Sequence, residues 1–207
     1  MDGQQLLDRV RENERTALER LGSDKALLAA TGADLDTDTV LGVLAATELF
    51  HADAFRRWSE ETDDERVAEA FETATETAGD HADRLDADLE AIPDESGLET
   101  GVGGQDDDVT RAGAGLVGAS LVLDRILLQA VNFFVNEADE RRADLIREVR
   151  TGADDRRDAG LALLEDSCGS DEEWERAATA AEAAVAAAYD DYVEALEGMG
   201  IDPKPVC

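Results

Sequence analysis

Residues 40–58, VLGVLAATELFHADAFRRW, decide the fold class. One side chain per helical turn belongs to a continuous stripe, which is the spacing of a buried helix face. The stripe consists of Val40, Leu41, Leu44, Glu48, His51, Phe55 and Trp58. Glu48 and His51 are its polar members, and they lie one turn apart. Because Asp36 or Thr37 can cap this segment, the pattern predicts an α-helix that carries two polar groups toward the interior.

A second helix is predicted after Thr62, where it completes a helical hairpin. Its stripe consists of Val67, Ala70, Phe71, Ala74, Ala78, His81, Leu85 and Leu89, with Pro93 as the expected end. Similar patterns predict further helices over about 109–136, 139–167 and 171–198, one that ends at Gly22, and a short piece over 23–31. No run alternates with period two for long enough to form a strand, so the predicted class is all-α.

The stretch over 93–108 has four glycines and no sustained period, which is typical of a long crossover. Short turns within each pair of long helices then predict two antiparallel hairpins joined by one long connection. We expect a single domain over 1–207, with an N-terminal helical extension over 1–35, a bundle over 36–168, a C-terminal helix over 171–198 and a tail over 199–207.

The two predicted hairpins show weak internal similarity. In the first helix of each hairpin, an offset of 76 residues matches Leu41, Gly42 and Glu48 to Val117, Gly118 and Asp124. In the second helix, an offset of 75 fits better and matches Phe71, Ala74, Ala78 and His81 to Ile146, Val149, Ala153 and Arg156. Polar residues therefore occupy four corresponding positions on apolar stripes. An offset of 76 in the second helix would place Arg157 there instead.

This helix order resembles the ferritin-like superfamily, and residues 71–85, FETATETAGDHADRL, are similar to the second bundle helix of rubrerythrins, as that family occurs in haloarchaea. The resemblance implies a ferritin-like antiparallel bundle and a di-iron site built from one Glu on each of two helices and Glu-x-x-His on the other two. Glu48 matches a single Glu and His81 matches a motif His. At the remaining positions stand Ala78, Ala153, Asp124 and Arg156, so the di-iron motif is degenerate.

An arginine at a former ligand position suggests a physical account of the loss. Arg is not a metal ligand, and an inward Arg156 or Arg157 could supply the missing positive charge by pairing with Asp124 or Glu48. The resemblance then implies a descendant without the di-iron site or any other cofactor, which acts as a structural or regulatory binding module.

Two other functions are compatible with the sequence. Glu48 and His51 form a literal Glu-x-x-His, and with His81 and Asp124 they could bind one iron or manganese ion in an oxidoreductase or peroxide-stress protein. Alternatively, the protein could be an adaptor in transcription or stress regulation, with an exposed apolar patch on the last helix or the tail. A homo-oligomer or a protein partner is compatible with each.

The composition excludes some partners. With 51 acidic and 19 basic residues, the formal net charge of −32 repels phosphate backbones, so we expect no direct nucleic-acid binding. Such self-repulsion is screened at molar salt, where the Debye length is about 3 Å, which favours a halophilic source. The apolar stretch over 112–135 contains Asp124 and Arg125 at its middle and is expected to be a buried helix, not a membrane span. Because residues 1–11 lack a signal pattern and the chain has only two cysteines, the predicted location is cytoplasmic.

Overall fold

The computed structural model describes residues 1–87, 89 and 102–203, and within these ranges the chain is helical and contains no strand. The all-α class is thus confirmed. Most of the predicted crossover, and residues 204–207 of the predicted tail, lie outside the described residues.

The first long hairpin consists of α4 (Thr37–Glu61) and α5 (Glu65–Leu85), which are preceded by three short helices, α1 (Gly3–Asn13), α2 (Arg15–Leu21) and α3 (Lys25–Ala30). The carboxylate of Asp36 caps α4 by accepting from the backbone N–H groups of Asp38 and Thr39. The other hairpin helix ends earlier than predicted, because Asp86 adopts a left-handed conformation with φ of 47°. Leu89 therefore lies beyond α5 and is exposed.

The second hairpin begins with one continuous helical rod, formed by α6 (Asp108–Arg111), a π-helical segment (Ala112–Gly118) and α7 (Ala119–Asn136). It returns as α8 (Glu140–Ser167). The predicted extents of both helices are confirmed to within a residue or two. The π-helical segment was not predicted. All of its small and apolar residues are buried, so no polar face marks the helical period there.

The last helix, α9 (Asp171–Gly198), packs against the π-helical segment and the N-terminal helices. Glycine makes the first of these contacts possible: a Cβ atom added to Gly113 would lie 2.3 Å from the carbonyl oxygen of Ala177. Arg9 ties α1 to α9 by donating from Nε to Glu182 and from Nη2 to Glu175, each over 2.9 Å. The predicted N-terminal helix is divided at Glu14, where ψ is 21°.

One continuous apolar core unites the two hairpins, the N-terminal helices and α9. Among the described residues, one stretch, Asp108–Asn136, has the length and hydropathy of a membrane span. Most of this stretch is buried inside the protein, as in the core helix of a soluble bundle. The position of Asp124 and Arg125 at its middle agrees with that placement, since charged groups are costly at the centre of a bilayer.

Candidate functional site

A cluster of four polar side chains lies within the apolar core. Glu48 and His51 project from successive turns of α4, His81 comes from α5, and Arg156 comes from α8. None of the four is more than 5% exposed. We call these residues the buried cluster. Because a charged group in an apolar core must be paired and hydrogen-bonded to be tolerated, their mutual contacts decide what the cluster can do.

Glu48 is the centre of the buried cluster. His81 donates from Nδ1 to Oε1 of Glu48 over 2.7 Å, and Arg156 donates from Nη2 to Oε2 over 2.8 Å. The Nδ1 atom of His51 lies 3.9 Å from Oε2. Both carboxylate oxygens therefore accept a short hydrogen bond from another helix, and Glu48 links α4 to α5 and α8.

The guanidinium group of Arg156 makes two further contacts. Its Nη1 atom lies 3.5 Å from Nδ1 of His51, a long hydrogen bond in which the guanidinium is the donor. Its Cζ atom lies 5.5 Å from the centre of the Phe55 ring, within the range of a cation–π interaction. Arg156 thus lies among three side chains of α4.

The electrostatics of the cluster favour an ionised Glu48. Burial by itself would raise the pKa of this carboxyl group, but the charge of Arg156 and the hydrogen bond from His81 together outweigh burial and lower the pKa to about 2. Burial and the charge of Arg156 lower the pKa of His51 to about 4, against the opposing effect of Glu48. At neutral pH His51 is uncharged, and its Nδ1 atom can accept from Arg156.

A glycine on α8 makes room for His81. A Cβ atom added to Gly152 would lie 2.3 Å from Cε1 and 2.4 Å from Nε2 of the His81 ring. Because real Cβ atoms do not approach other atoms so closely, only glycine at position 152 leaves the imidazole where it can donate to Glu48. Gly152 was not among the predicted site residues, although its place one turn before Arg156 was a usable signal.

One proposed metal ligand has partners outside the buried cluster. Glu48 lies beside both His51 and His81, whereas the carboxylate of Asp124 accepts from Nε of Arg150 over 2.6 Å and forms an ion pair with Arg125 over 3.9 Å. In the part of the chain that the structure describes, no group of three or more His, Cys, Asp or Glu side chains has an arrangement that could hold a metal ion.

The predicted arginine–carboxylate pair is confirmed, and the structure selects one of the alternatives. Arg156 is buried and pairs with Glu48, whereas Arg157 forms ion pairs with Asp154 and Asp158 of its own helix. A pair between Arg156 and Asp124 is not formed. Sequence reasoning missed the role of Arg150 as the partner of Asp124, because Arg150 matches no position of the family motif.

The exposed apolar side chains differ from those expected for an adaptor. Across the described residues, large hydrophobic side chains with high exposure are Met1, Leu35, Leu49, Phe50, Leu89 and Val135. None of these lies on α9, so the expected patch is not found on the described part of the last helix and tail.

In comparisons with known proteins, no family model, curated protein or solved structure matches this chain. The resemblance to rubrerythrins therefore stays a prediction from residues 71–85 and from the order of the helices.

Proposed function

We propose that this protein is a non-catalytic, ferritin-like member of the rubrerythrin type, in which an internal arginine has taken over the charge of a lost di-iron site. The bundle would act as a structural or regulatory binding module in a salt-rich cytoplasm. The observation that carries this proposal is the pairing of Arg156 with Glu48 inside the core.

The charges of the buried cluster support this function. A ferritin-like metal centre uses carboxylates to bridge two cations, and removal of the cations would leave buried negative charge, which is costly. Here the single negative charge of Glu48 is matched by the single positive charge of Arg156. Each oxygen of Glu48 also already accepts a short hydrogen bond, and a cation that approached this carboxylate would be repelled by the charge of Arg156.

The same contacts argue against catalysis by the cluster. A general base needs a lone pair directed at a substrate, but the carboxylate of Glu48 is enclosed by its partners and almost completely buried. His51 is fully enclosed as well. We therefore assign the cluster a structural role, in which it fixes the register of α4, α5 and α8 along their axes.

Metal content tests the proposal directly. The full chain is produced without an affinity tag, purified in molar salt, and offered iron(II) under argon or manganese(II) before desalting and elemental mass spectrometry. We expect no stoichiometric metal in the wild type. The matched comparison is a Glu48→Ala, His81→Ala double variant, which removes two of the three clustered candidate ligands.

The two functions predict different results in this experiment. One metal ion per wild-type chain, lost in the double variant, would overturn the proposal and support the mononuclear iron or manganese protein. Equal, substoichiometric metal in both proteins supports an arginine-centred bundle, because adventitious surface binding does not depend on Glu48 and His81.

A further inference from the structure

A surface cleft of about 530 Å³ lies where α2 packs against α7. Three arginines line it: Arg11 from the last turn of α1, Arg15 from the start of α2, and Arg125 from α7. The other lining residues belong to α2 and its C-terminal cap, and they are Leu18, Glu19 and Gly22. The volume lies within the range for small-molecule sites in proteins. We call these residues the arginine cleft.

The charge of the arginine cleft is opposite to that of the protein. Three arginines and one glutamate give the lining a net charge of +2, whereas the whole chain has a formal net charge of −32. At molar salt the Debye length is about 3 Å, so distant carboxylates are screened and a ligand in the cleft interacts mainly with the charges that line it. The cleft can therefore attract an anion although the protein as a whole is acidic.

Two of the three arginines have no carboxylate partner. Most arginines in the described part of the chain form ion pairs, as Arg9 does with two glutamates of α9. Arg11 and Arg15 are exposed, and their side chains form no ion pair or hydrogen bond with another described residue. Glu19 lies one turn beyond Arg15 on α2 but forms no ion pair with it. Both cations are thus available to a ligand without the loss of an existing contact.

Arg125 completes the cleft from the other helix. Its Cδ atom would lie 3.4 Å from a Cβ atom added to Gly22, whose carbonyl accepts from Gln129 over 2.6 Å. Its ion-pair partner is Asp124, at 3.9 Å from Nε, and that carboxylate already accepts from Arg150 over 2.6 Å. The charge of Arg125 is therefore only partly compensated, and its side chain is 36% exposed.

Three arginines from three helices suit a tetrahedral oxyanion better than a planar one. A guanidinium group can donate two parallel hydrogen bonds to a carboxylate, which occupies both oxygens of that planar group. A phosphoryl group has three terminal oxygens that point in different directions, and its charge at neutral pH is about −1.5 to −2. This group matches the number of arginines and the net charge of the lining. Because the cleft is larger than a phosphoryl group, it also has room for the organic part of an ester.

We propose that the arginine cleft binds a phosphoryl dianion, as part of a small phosphate monoester or as inorganic phosphate. This inference goes beyond the proposed function and does not depend on it, because the cleft shares no residue with the buried cluster. Nucleic acid is not the expected ligand, since each of its phosphates carries one charge and the neighbouring phosphates would meet the acidic surface.

The test is a titration of the full, isotope-labelled protein, followed by NMR in molar potassium chloride at constant ionic strength and pH 7.5. The probes are glycerol 3-phosphate and inorganic phosphate. The comparisons are dimethyl phosphate, which carries one charge, succinate, which carries two carboxylates, and uncharged glycerol. We expect the backbone amides around Arg15, Gly22 and Arg125 to shift with one Kd of about 1–10 mM for glycerol 3-phosphate. Inorganic phosphate should bind no more tightly, because it leaves part of the cleft empty.

Arginine variants make the test specific. Arg15→Gln removes one charge from the cleft and should weaken the binding of glycerol 3-phosphate by roughly fivefold or more, and the Arg11→Gln, Arg15→Gln double variant should show no saturation. Arg57→Gln is the matched control. Arg57 is also exposed and forms no ion pair with the described residues, but it belongs to α4 and does not line the cleft. Its loss changes the net charge equally and should leave the Kd unchanged, and circular dichroism checks that each variant is folded.

The outcomes decide both the site and its ligand. Three results would each overturn the proposal: no saturable shift with either phosphate probe, equal Kd values for Arg15→Gln and Arg57→Gln, or succinate or dimethyl phosphate that binds as tightly as glycerol 3-phosphate. Saturation by both phosphate probes supports the site and assigns an ester as a ligand. Saturation by inorganic phosphate alone supports the site and assigns free phosphate.

Discussion

Replacement of Arg156 by methionine is the sharpest test of the buried cluster. Methionine keeps much of the length of the side chain but removes the guanidinium charge, the hydrogen bond to Glu48 and the contact with Phe55. Glu48 would remain in the core with only the hydrogen bond from His81. The penalty should therefore come from an uncompensated buried carboxylate more than from lost packing volume.

The expected magnitude follows from the burial of both partners, whose side chains are 2% and 1% exposed. Breaking a buried ion pair by removing one member costs about 3–5 kcal/mol. With an m-value of about 2 kcal/mol per molar urea, the unfolding midpoint should fall by roughly 2 M. The variant should nevertheless fold, since native domains ordinarily have a free energy of unfolding of about 5–15 kcal/mol.

Acidification should reduce this penalty. Without the charge of Arg156, burial dominates and the pKa of Glu48 in the folded variant should rise above that of the unfolded chain. A raised carboxyl pKa favours folding at low pH, and that benefit is lost as the pH increases. The difference in unfolding free energy between Arg156→Met and the wild type should therefore shrink from pH 7.5 to pH 5.

Urea unfolding followed by circular dichroism at constant molar salt measures these effects, and Arg157→Met is the matched control. Arg157 is the next residue on α8, but it pairs with Asp154 and Asp158 on its own helix, so its loss should cost less than about 1 kcal/mol. Similar penalties for the two methionine variants, without dependence on pH, would refute the structural role assigned to Arg156.

Three further predictions concern neighbouring residues. Gly152→Ala should lower the free energy of unfolding by about 1–3 kcal/mol, because its methyl group would collide with His81. As a control, a Cβ atom at Gly79 meets nothing within 4 Å, so Gly79→Ala should stabilise α5 by roughly 0.5–1 kcal/mol. Equal effects of the two substitutions would contradict the close approach of His81 to Gly152. Burial lowers the pKa of His51 to about 4, so on acidification this residue takes up a proton in the unfolded chain before it does so in the folded protein. The free energy of unfolding of the wild type should therefore fall by about 3 kcal/mol between pH 6.5 and pH 4, and that of His51→Gln should fall correspondingly less. Parallel pH curves for the two proteins would argue against a buried neutral histidine. Gly113→Ala should destabilise the protein more than Gly152→Ala, since its methyl group meets the backbone of α9 and not a side chain; the reverse order in the same assay would contradict the packing of α9.

Much of the helix map could be predicted because the sequence marks helix ends with local chemistry. Asp139 and Ser170 cap α8 and α9, and both boundaries were predicted to within a residue. The end of α5 was predicted too late, because the apolar stripe continues to Leu89 and the left-handed Asp86 has no glycine to reveal it. The division at Glu14 likewise has no neighbouring glycine or proline to mark it.

The site was predictable to the extent that helix period determines it. Glu48, His51, His81 and Arg156 lie on apolar stripes, so their burial followed from spacing alone. The choice between Arg156 and Arg157 required the register of α8 against the first hairpin, which an offset of 75 or 76 residues could not decide. The partner of Asp124 was missed because Arg150 matches no position of the family motif, so only the packing of α7 against α8 shows that it lies beside Asp124.

The buried cluster explains how a bundle with a mostly aliphatic and alanine core can keep a single arrangement. Apolar faces of alanine and leucine pack almost equally well after small shifts along the helix axis, because the hydrophobic effect is not directional. The hydrogen bonds of Glu48 are directional, and they join α4 to α5 through His81 and to α8 through Arg156. Sliding either helix by one turn would strand a charge in the core, at a cost comparable to the expected penalty for Arg156→Met.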